Sequence, residues 1–403
     1  MKKTLTCLFF AITPLLVFFS AMAMTPLLFI LALLAFLPFA PASLKEAWRA
    51  MVADKTLCLI LALLLVWPLV SALWSLAPLV TVTAWVSVAL VCFAGALAVK
   101  ARPAMQPLPQ WVTLAMALGM ATASLLILLE QFPHGGLITL VTHYTGGDAP
   151  RFLGKTVNRG LCALAILIWP VAYGLASIGR RRLAAALIVL VGISLAFMGS
   201  LSAQLGFVAG LFTLLLVWVL PRAFPRLLTL AVPMLFFAMP FLTMWALAQP
   251  FTAEHITQLN AMSSGRIIIW PALIEAGSGH AWLGSGMKTS NLLTIPQATL
   301  DSLKIYATPL HPHHSMLQVF LELGVAGLAL VSAALGVILW RLGNAFPARH
   351  SAQAAVYATF AAYLAAGFSS FSIWQNWWVA LPWIIMLLWQ QQNPAEASRR
   401  VSK

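Results

Sequence analysis

"HPHHSMLQVFLELGVAGLALVSAALGVILW", residues 311–340, decides the class of fold. From Ser315 to Trp340 it carries a single ionisable side chain, Glu322. A helix of about 20 apolar residues spans the ~30 Å hydrocarbon layer of a bilayer, and this run exceeds that length. Three of the chain's eight histidines stand at its mouth. Their meaning depends on which side of a membrane that mouth faces.

Working outward, similar runs recur at 5–22, 26–44, 56–76, 78–99, 111–130, 157–178, 183–200, 203–220, 228–248, 314–340, 351–371 and 373–391. The chain of 403 residues is 62% hydrophobic and 8% charged, against about 25% charged in soluble domains. The expected fold is therefore all-α: a polytopic integral membrane protein with about 12 transmembrane helices, residues 1–403 forming one membrane domain. A net charge of +14 would suit a nucleic-acid partner, but the basic residues are scattered through short connections, which is a topology signal. No nucleic acid is expected. Cys7, Cys58, Cys92 and Cys162 fall singly in different runs, with neither metal-site spacing nor a disulfide framework.

Orientation follows from lysine and arginine. With Lys2 and Lys3 placed in the cytoplasm, 17 of the 23 basic residues fall on that side. Arg151, Lys155, Arg159, Arg266, Lys288 and Lys304 remain for the far side. Both termini are then cytoplasmic. Residues 1–23 also resemble a signal peptide, with Lys-Lys, an apolar stretch and Ala21-Met22-Ala23; an uncleaved first helix is the expectation. Two far-side segments, 131–156 and 249–313, are long enough to do chemistry, and long loops in a minimal bundle are usually functional.

The polar residues that need explaining gather on that side. A helix beginning near His313 points its positive dipole end outward, which attracts anions and favours a neutral imidazole. Four-residue spacing puts His314, Gln318 and Glu322 on one face, with Glu322 about two turns into the bilayer, where an ionisable group is costly. His311, His313 and His314 have three open readings: a solvated helix end, a zinc site, or a base at a site of phosphate chemistry. "MSSGRIIIW" supplies Arg266, and "GKTVNRGLCALAILIWP" supplies Lys155 and Arg159. Guanidinium forks suit phosphate oxygens. Aspartate is scarce (Asp54, Asp148, Asp301), so a Mg²⁺ site is poorly provided for. Gly284-Ser285-Gly286 reads as an ordinary loop turn or a close approach to a ligand. Trp374, Trp377, Trp378 and Trp383 read as an interfacial aromatic belt.

Three stretches carry a family resemblance. "HPHHSMLQVFLELGVAG" resembles the His-x-His-Asn…Leu-Gln…Glu-x-Gly signature of the O-antigen ligase and polymerase superfamily of bacterial envelope glycosyltransferases. "SGRIIIWPALIEAGSGHAWLGSGM" is similar to its Gly-Arg…Trp and Gly-x-Gly, and "NRGLCALAILIWP" to an Asn-Arg-Gly helix start. The resemblance implies a GT-C-type membrane glycosyltransferase with one large periplasmic loop (249–313) in the bacterial inner membrane, its active site facing the periplasm. It implies metal-independent, inverting transfer with no cofactor, from an undecaprenyl-pyrophosphate-linked glycan to lipid A–core, among membrane lipids. The family histidine corresponds to His313 and its loop arginine to Arg266, with Arg159 and Lys155 as further pyrophosphate ligands. His314 and Glu322 join His313 as catalytic candidates, with His311 and Gln318 in support. His314 stands where the family has asparagine. Gln204 stands where many members have arginine. A polymerase, a protein O-oligosaccharyltransferase, a lipid-linked substrate transporter and a non-catalytic assembly partner are the rival readings.

Overall fold

The computed structural model describes residues 2–36, 41–101, 109–131, 136, 143, 157–255, 258, 265–302, 308–345 and 350–392. Helices dominate, and no strand occurs among the described residues. In chain order the helices are α1 (Lys2–Phe19), α2 (Met24–Ala35), α3 (Pro41–Ala53), α4 (Lys55–Val70), α5 (Pro78–Lys100) and α6 (Gln110–Leu129). They continue with α7 (Asn158–Ser177), α8 (Arg181–Phe197), α9 (Leu201–Val219), α10 (Ala223–Leu247), α11 (Pro250–Glu254) and α12 (Arg266–Ala276). The last four are α13 (Gln297–Ser302), α14 (Ser315–Ala345), α15 (His350–Phe368) and α16 (Asn376–Gln392).

Seven described helices are long and apolar enough to cross a membrane: α4 with its 3₁₀ extension, α5, α6, α7, α9, α10 and α14. Thr4–Phe19 and Ala21–Ala35 are shorter apolar helices. The chain is thus a helical multi-pass membrane protein. One of the twelve expected spans is corrected outright. The run at 26–44 is not one helix: α2 stops at Ala35, and α3 is a separate helix carrying Lys45, Glu46 and Arg49. Those charges forbid a crossing. Instead α3 buries Ala47 and Met51 and exposes Leu44, Trp48 and Val52.

Helix α7 sits at the centre of the larger core. Leu161 through Trp169 are all buried, on every face of the helix, which is why its sequence shows no polar side. A second core surrounds the first half of α14 and takes in α4, α5 and α12. At one end of the bundle, Asp54 before α4 meets Lys100 at the end of α5 (2.6 Å) and Arg341 late in α14. Burial alone would raise the Asp54 carboxyl; the hydrogen bonds from Arg341 and Lys100 outweigh it and hold the group well below the usual carboxylate range. Charge bias assigned Lys100 and Arg341 to one side.

The feature that shapes the other half is a break inside α14. Gly324 takes φ 68°, ψ −170°, a region open essentially to glycine alone. The break frees backbone groups that a membrane interior cannot solvate. Loop residues 281–286 supply the partners: Ser285 N–H donates to Leu321 O (3.0 Å) and Gly286 N–H to Glu322 O (2.9 Å), while Val325 N–H donates to Ala281 O (2.9 Å) and Ala326 N–H to Trp282 O (3.3 Å). The Trp67 indole donates to Leu323 O at 3.0 Å. The Gly-Ser-Gly turn therefore approaches a broken helix; a Cβ on Gly284 would lie 2.2 Å from Glu322 O.

Gly324→Ala tests this directly, since its Cβ would stand 2.2 Å from Trp282 O. A cost of about 3 kcal/mol or more is expected, read as loss of folded protein or a large drop in Tm in detergent. Gly336→Ala, whose Cβ would meet only Pro233 Cγ at 3.3 Å, is the control and should be nearly silent. Equal stability of the two variants would show that α14 does not need its break.

Candidate functional site

The end of the bundle opposite Asp54 collects the start of α7, the start of α14, the α15–α16 turn and α12. "HPHH" lies where these meet. His314 caps α14: its Nδ1 accepts from Leu317 N–H at 3.2 Å. In the neutral ring Nε2 then carries the proton, and it faces Thr243 Oγ1 at 3.3 Å. With 1% exposure and both nitrogens engaged, His314 is committed to the fold. Burial pushes its pKa down to about 4.

His313 is arranged the opposite way. Its Nδ1 lies 2.7 Å from Ser370 O. A carbonyl can only accept, so the proton sits on Nδ1 and leaves the Nε2 lone pair unprotonated. No described residue engages Nε2. Burial, partly offset by the Ser370 hydrogen bond and reinforced by the charge of Arg266, lowers its pKa below the ordinary histidine value. His313 also holds φ 54°; among the described residues only it and Lys288 are non-glycine residues at positive φ. Such strain costs on the order of 1–3 kcal/mol and collects at functional positions.

His311 accepts the His313 N–H on its Nδ1 at 3.3 Å, with ring centroids 4.1 Å apart. Burial first, then His313 and the charges of Arg159 and Arg266, push its pKa down to about 3. Both arginines therefore lie within electrostatic reach of the histidine turn. Arg266 arrives there because α12 is anchored by Trp270, one turn later on the same face, whose indole donates to Pro312 O at 2.8 Å. Burial also lowers the Arg266 pKa. Among the described residues no carboxylate pairs with either guanidinium; the ion pairs found are those of Asp54. Lys155 lies outside the described residues.

Glu322 lies beneath this turn, fully buried at 0% exposure. Its carboxylate accepts from Lys288 N–H (2.6 Å), Ser290 N–H (3.4 Å), Ser290 Oγ (2.7 Å), Gln318 Nε2 (3.0 Å) and the Trp374 indole. Gln318 also donates to Ser372 Oγ (2.9 Å) and accepts from Ile373 N–H (3.2 Å). Of the face expected from spacing, Gln318 and Glu322 meet, with Gln318 donating to Glu322; His314 precedes α14 and turns its ring toward Thr243, Trp270 and Phe368. Sequence reasoning missed what that face holds: the α15–α16 turn, whose Ser370 carbonyl orients His313. The serines of "GFSSFSIW" were the available signal. The aromatic belt is corrected too. Trp377 and Trp378 are buried, Trp374 binds Glu322, and Trp383 packs on Gly95. Gln204 donates to Leu195 O (3.0 Å) and Met198 O (3.4 Å), finishing α8.

A family model described as O-antigen ligase matches residues 184–332, from α8 through the break in α14. A Rickettsia felis protein named "Putative polysaccharide ligase" is 26% identical over 80% of this chain and 77% of its own length. Similar proteins of the same type occur in Rickettsia typhi, 28% identical over 68% of this chain and 66% of its own, and in Rickettsia prowazekii, 29% identical over 68% and 66%.

The strain at His313 yields a paired test. Both His313→Gly and His313→Ala remove the imidazole, but only glycine relaxes at φ 54°. The glycine variant should be more stable than the alanine variant by about 1 kcal/mol, measured by thermal unfolding in detergent; equal values would show that the turn is not held in the left-handed region. The match over residues 184–332 and the similarity to proteins named polysaccharide ligases support the O-antigen ligase superfamily and a polysaccharide-ligase type of function.

Proposed function

We propose that the protein transfers a glycan from a lipid-linked diphosphate, undecaprenyl pyrophosphate in the family's chemistry, to a hydroxyl of lipid A–core, at the periplasmic face of the inner membrane. One observation carries the reading: His313 has an unprotonated Nε2 that no described residue engages, in a histidine turn where Arg266 acts on His313 and Arg159 and Arg266 act on His311, neither guanidinium pairing with a carboxylate among the described residues.

The arrangement suits a single displacement. The acceptor hydroxyl attacks the anomeric carbon and gives its proton to His313 Nε2. The bond to the diphosphate breaks with its electron pair, and Arg159 and Arg266 stabilise the charge that develops on the leaving group. Attack opposite the leaving group inverts the anomeric centre. Guanidiniums perform the charge stabilisation that a divalent cation performs elsewhere, and the acidic residues needed for such a cation are few. The zinc reading loses support because His314 and the Nδ1 of His311 are already committed. Gln318 and Glu322 act as positioning residues, holding the turn that presents Ser370 O to His313. A transporter would place its ionisable groups in broken helices around a midplane path; the broken helix here is filled by its own loop.

Complementation of a deletion strain separates the readings. With His313→Ala, the lipopolysaccharide ladder should disappear while full-length glycan accumulates on the carrier. An unchanged ladder would remove His313 from the chemistry. A single repeat still attached to the core would identify a polymerase. In reconstituted transfer assays, Arg266→Ala and Arg159→Ala should each lower kcat by about 100-fold or more.

The pH dependence has a definite sign. The His313 pKa is lowered, so the base form persists below the ordinary value of about 6.5. The acidic limb of kcat/KM should therefore fall below pH ~6.5. Stability follows the same direction: below about 6.5 the unfolded chain takes up protons that the folded histidines resist, so stability declines as pH drops from there. An acidic limb above pH 7 would contradict a neutral His313.

A further inference from the structure

The ring of His311 faces two ways. Its Nδ1 accepts the backbone N–H of His313, and a neutral imidazole that accepts at one nitrogen carries its proton on the other. Nε2–H is therefore a donor, and no described residue accepts it. Besides the neighbouring His313, the charges that reach this ring are those of Arg159 and Arg266, so the donor lies in the field of the two arginines assigned to the anion. A third cation there would be repelled by both guanidiniums. A neutral N–H adds a directed hydrogen bond without that repulsion.

We propose that His311 is a third ligand of the diphosphate, donating from Nε2–H to a phosphate oxygen while its Nδ1 fixes the backbone of His313. The inference rests on the anion-site reading above. Burial and the two arginines keep the ring neutral over the working pH range, so the donor is always present. The three histidines then have three tasks set by their tautomers: His311 donates to the anion, His313 accepts the proton of the attacking hydroxyl, and His314 caps α14. Anchoring His313 through the same ring ties the base to the occupied anion site, so the leaving group and the base are held in one register.

Two substitutions separate the two edges of the ring. Asparagine at 311 places an amide oxygen near the position of Nδ1 and so can keep the His313 N–H satisfied, but it does not reach the Nε2 position. Glutamine places an amide N–H near Nε2. The full-length protein in nanodiscs is titrated with inorganic pyrophosphate at pH 7.5 by calorimetry, with undecaprenyl pyrophosphate as competitor. His311→Asn should weaken pyrophosphate binding by about tenfold or more, whereas His311→Gln should stay within about threefold of wild type. Displacement by the lipid form assigns the site to the carrier; persistence of bound pyrophosphate would overturn that assignment in favour of a free-phosphate site. If Asn binds as tightly as wild type while Arg266→Ala is weakened, the anion site stands and the role of His311 falls. Equal weakening by Asn and Gln would also overturn the donor role. No binding to wild type at all would remove the anion-site reading and this inference with it.

Discussion

Backbone N–H and C=O groups in a membrane interior must find partners within the protein, because lipid offers none and each unpaired group costs several kcal/mol. Gly324 breaks α14 at the point where that obligation is hardest to meet. The loop at 281–286 and the Trp67 indole meet it, group by group. Once that loop is bound along the break, Lys288 and Ser290 are carried to the Glu322 carboxylate. The long segment between α10 and α14 is thus tied into the bundle at its middle, and α12 is carried to a place where Trp270 can bind Pro312. The position of Arg266 follows from this chain of contacts.

Glu322 has an unusual solution to burial. A carboxylate deep in an apolar bundle is normally paired with a cation or spent in chemistry. Here it is surrounded by backbone N–H, hydroxyl, amide and indole donors from three segments. It joins the 288–290 loop, Gln318 and Trp374. Through Gln318 the same network reaches Ser372 and Ile373, two and three residues beyond the carbonyl that sets the His313 tautomer. A carboxylate placed so far from the mouth of the site can still govern His313, by holding the turn that orients its ring.

Adjacent histidines in this chain behave differently because their backbone geometry differs. His314 begins a helix and its ring folds back on the first turn. His313 is left-handed and swings its ring to the α15–α16 turn. Spacing and residue type cannot separate the two, since both stand at the same helix mouth. Only the partner of each Nδ1, an N–H for His314 and a C=O for His313, distinguishes a helix cap from a ring whose Nε2 is left unprotonated.

The sequence by itself determined the membrane class, through runs such as 315–340, and the common side of Lys100 and Arg341, through charge bias, since both follow from the cost of moving polar groups through lipid. It also determined the shared face of Gln318 and Glu322, because helical periodicity is local. Tertiary structure decided the rest. The division of 26–44 into α2 and α3, the burial of Trp377 and Trp378, and the use of Ser370 as the partner of His313 all depend on contacts between residues tens to hundreds of positions apart. Apolar residues facing lipid and apolar residues facing protein look alike in a sequence, and a backbone carbonyl carries no side-chain signature at all. Which groups meet is fixed only when the chain has packed.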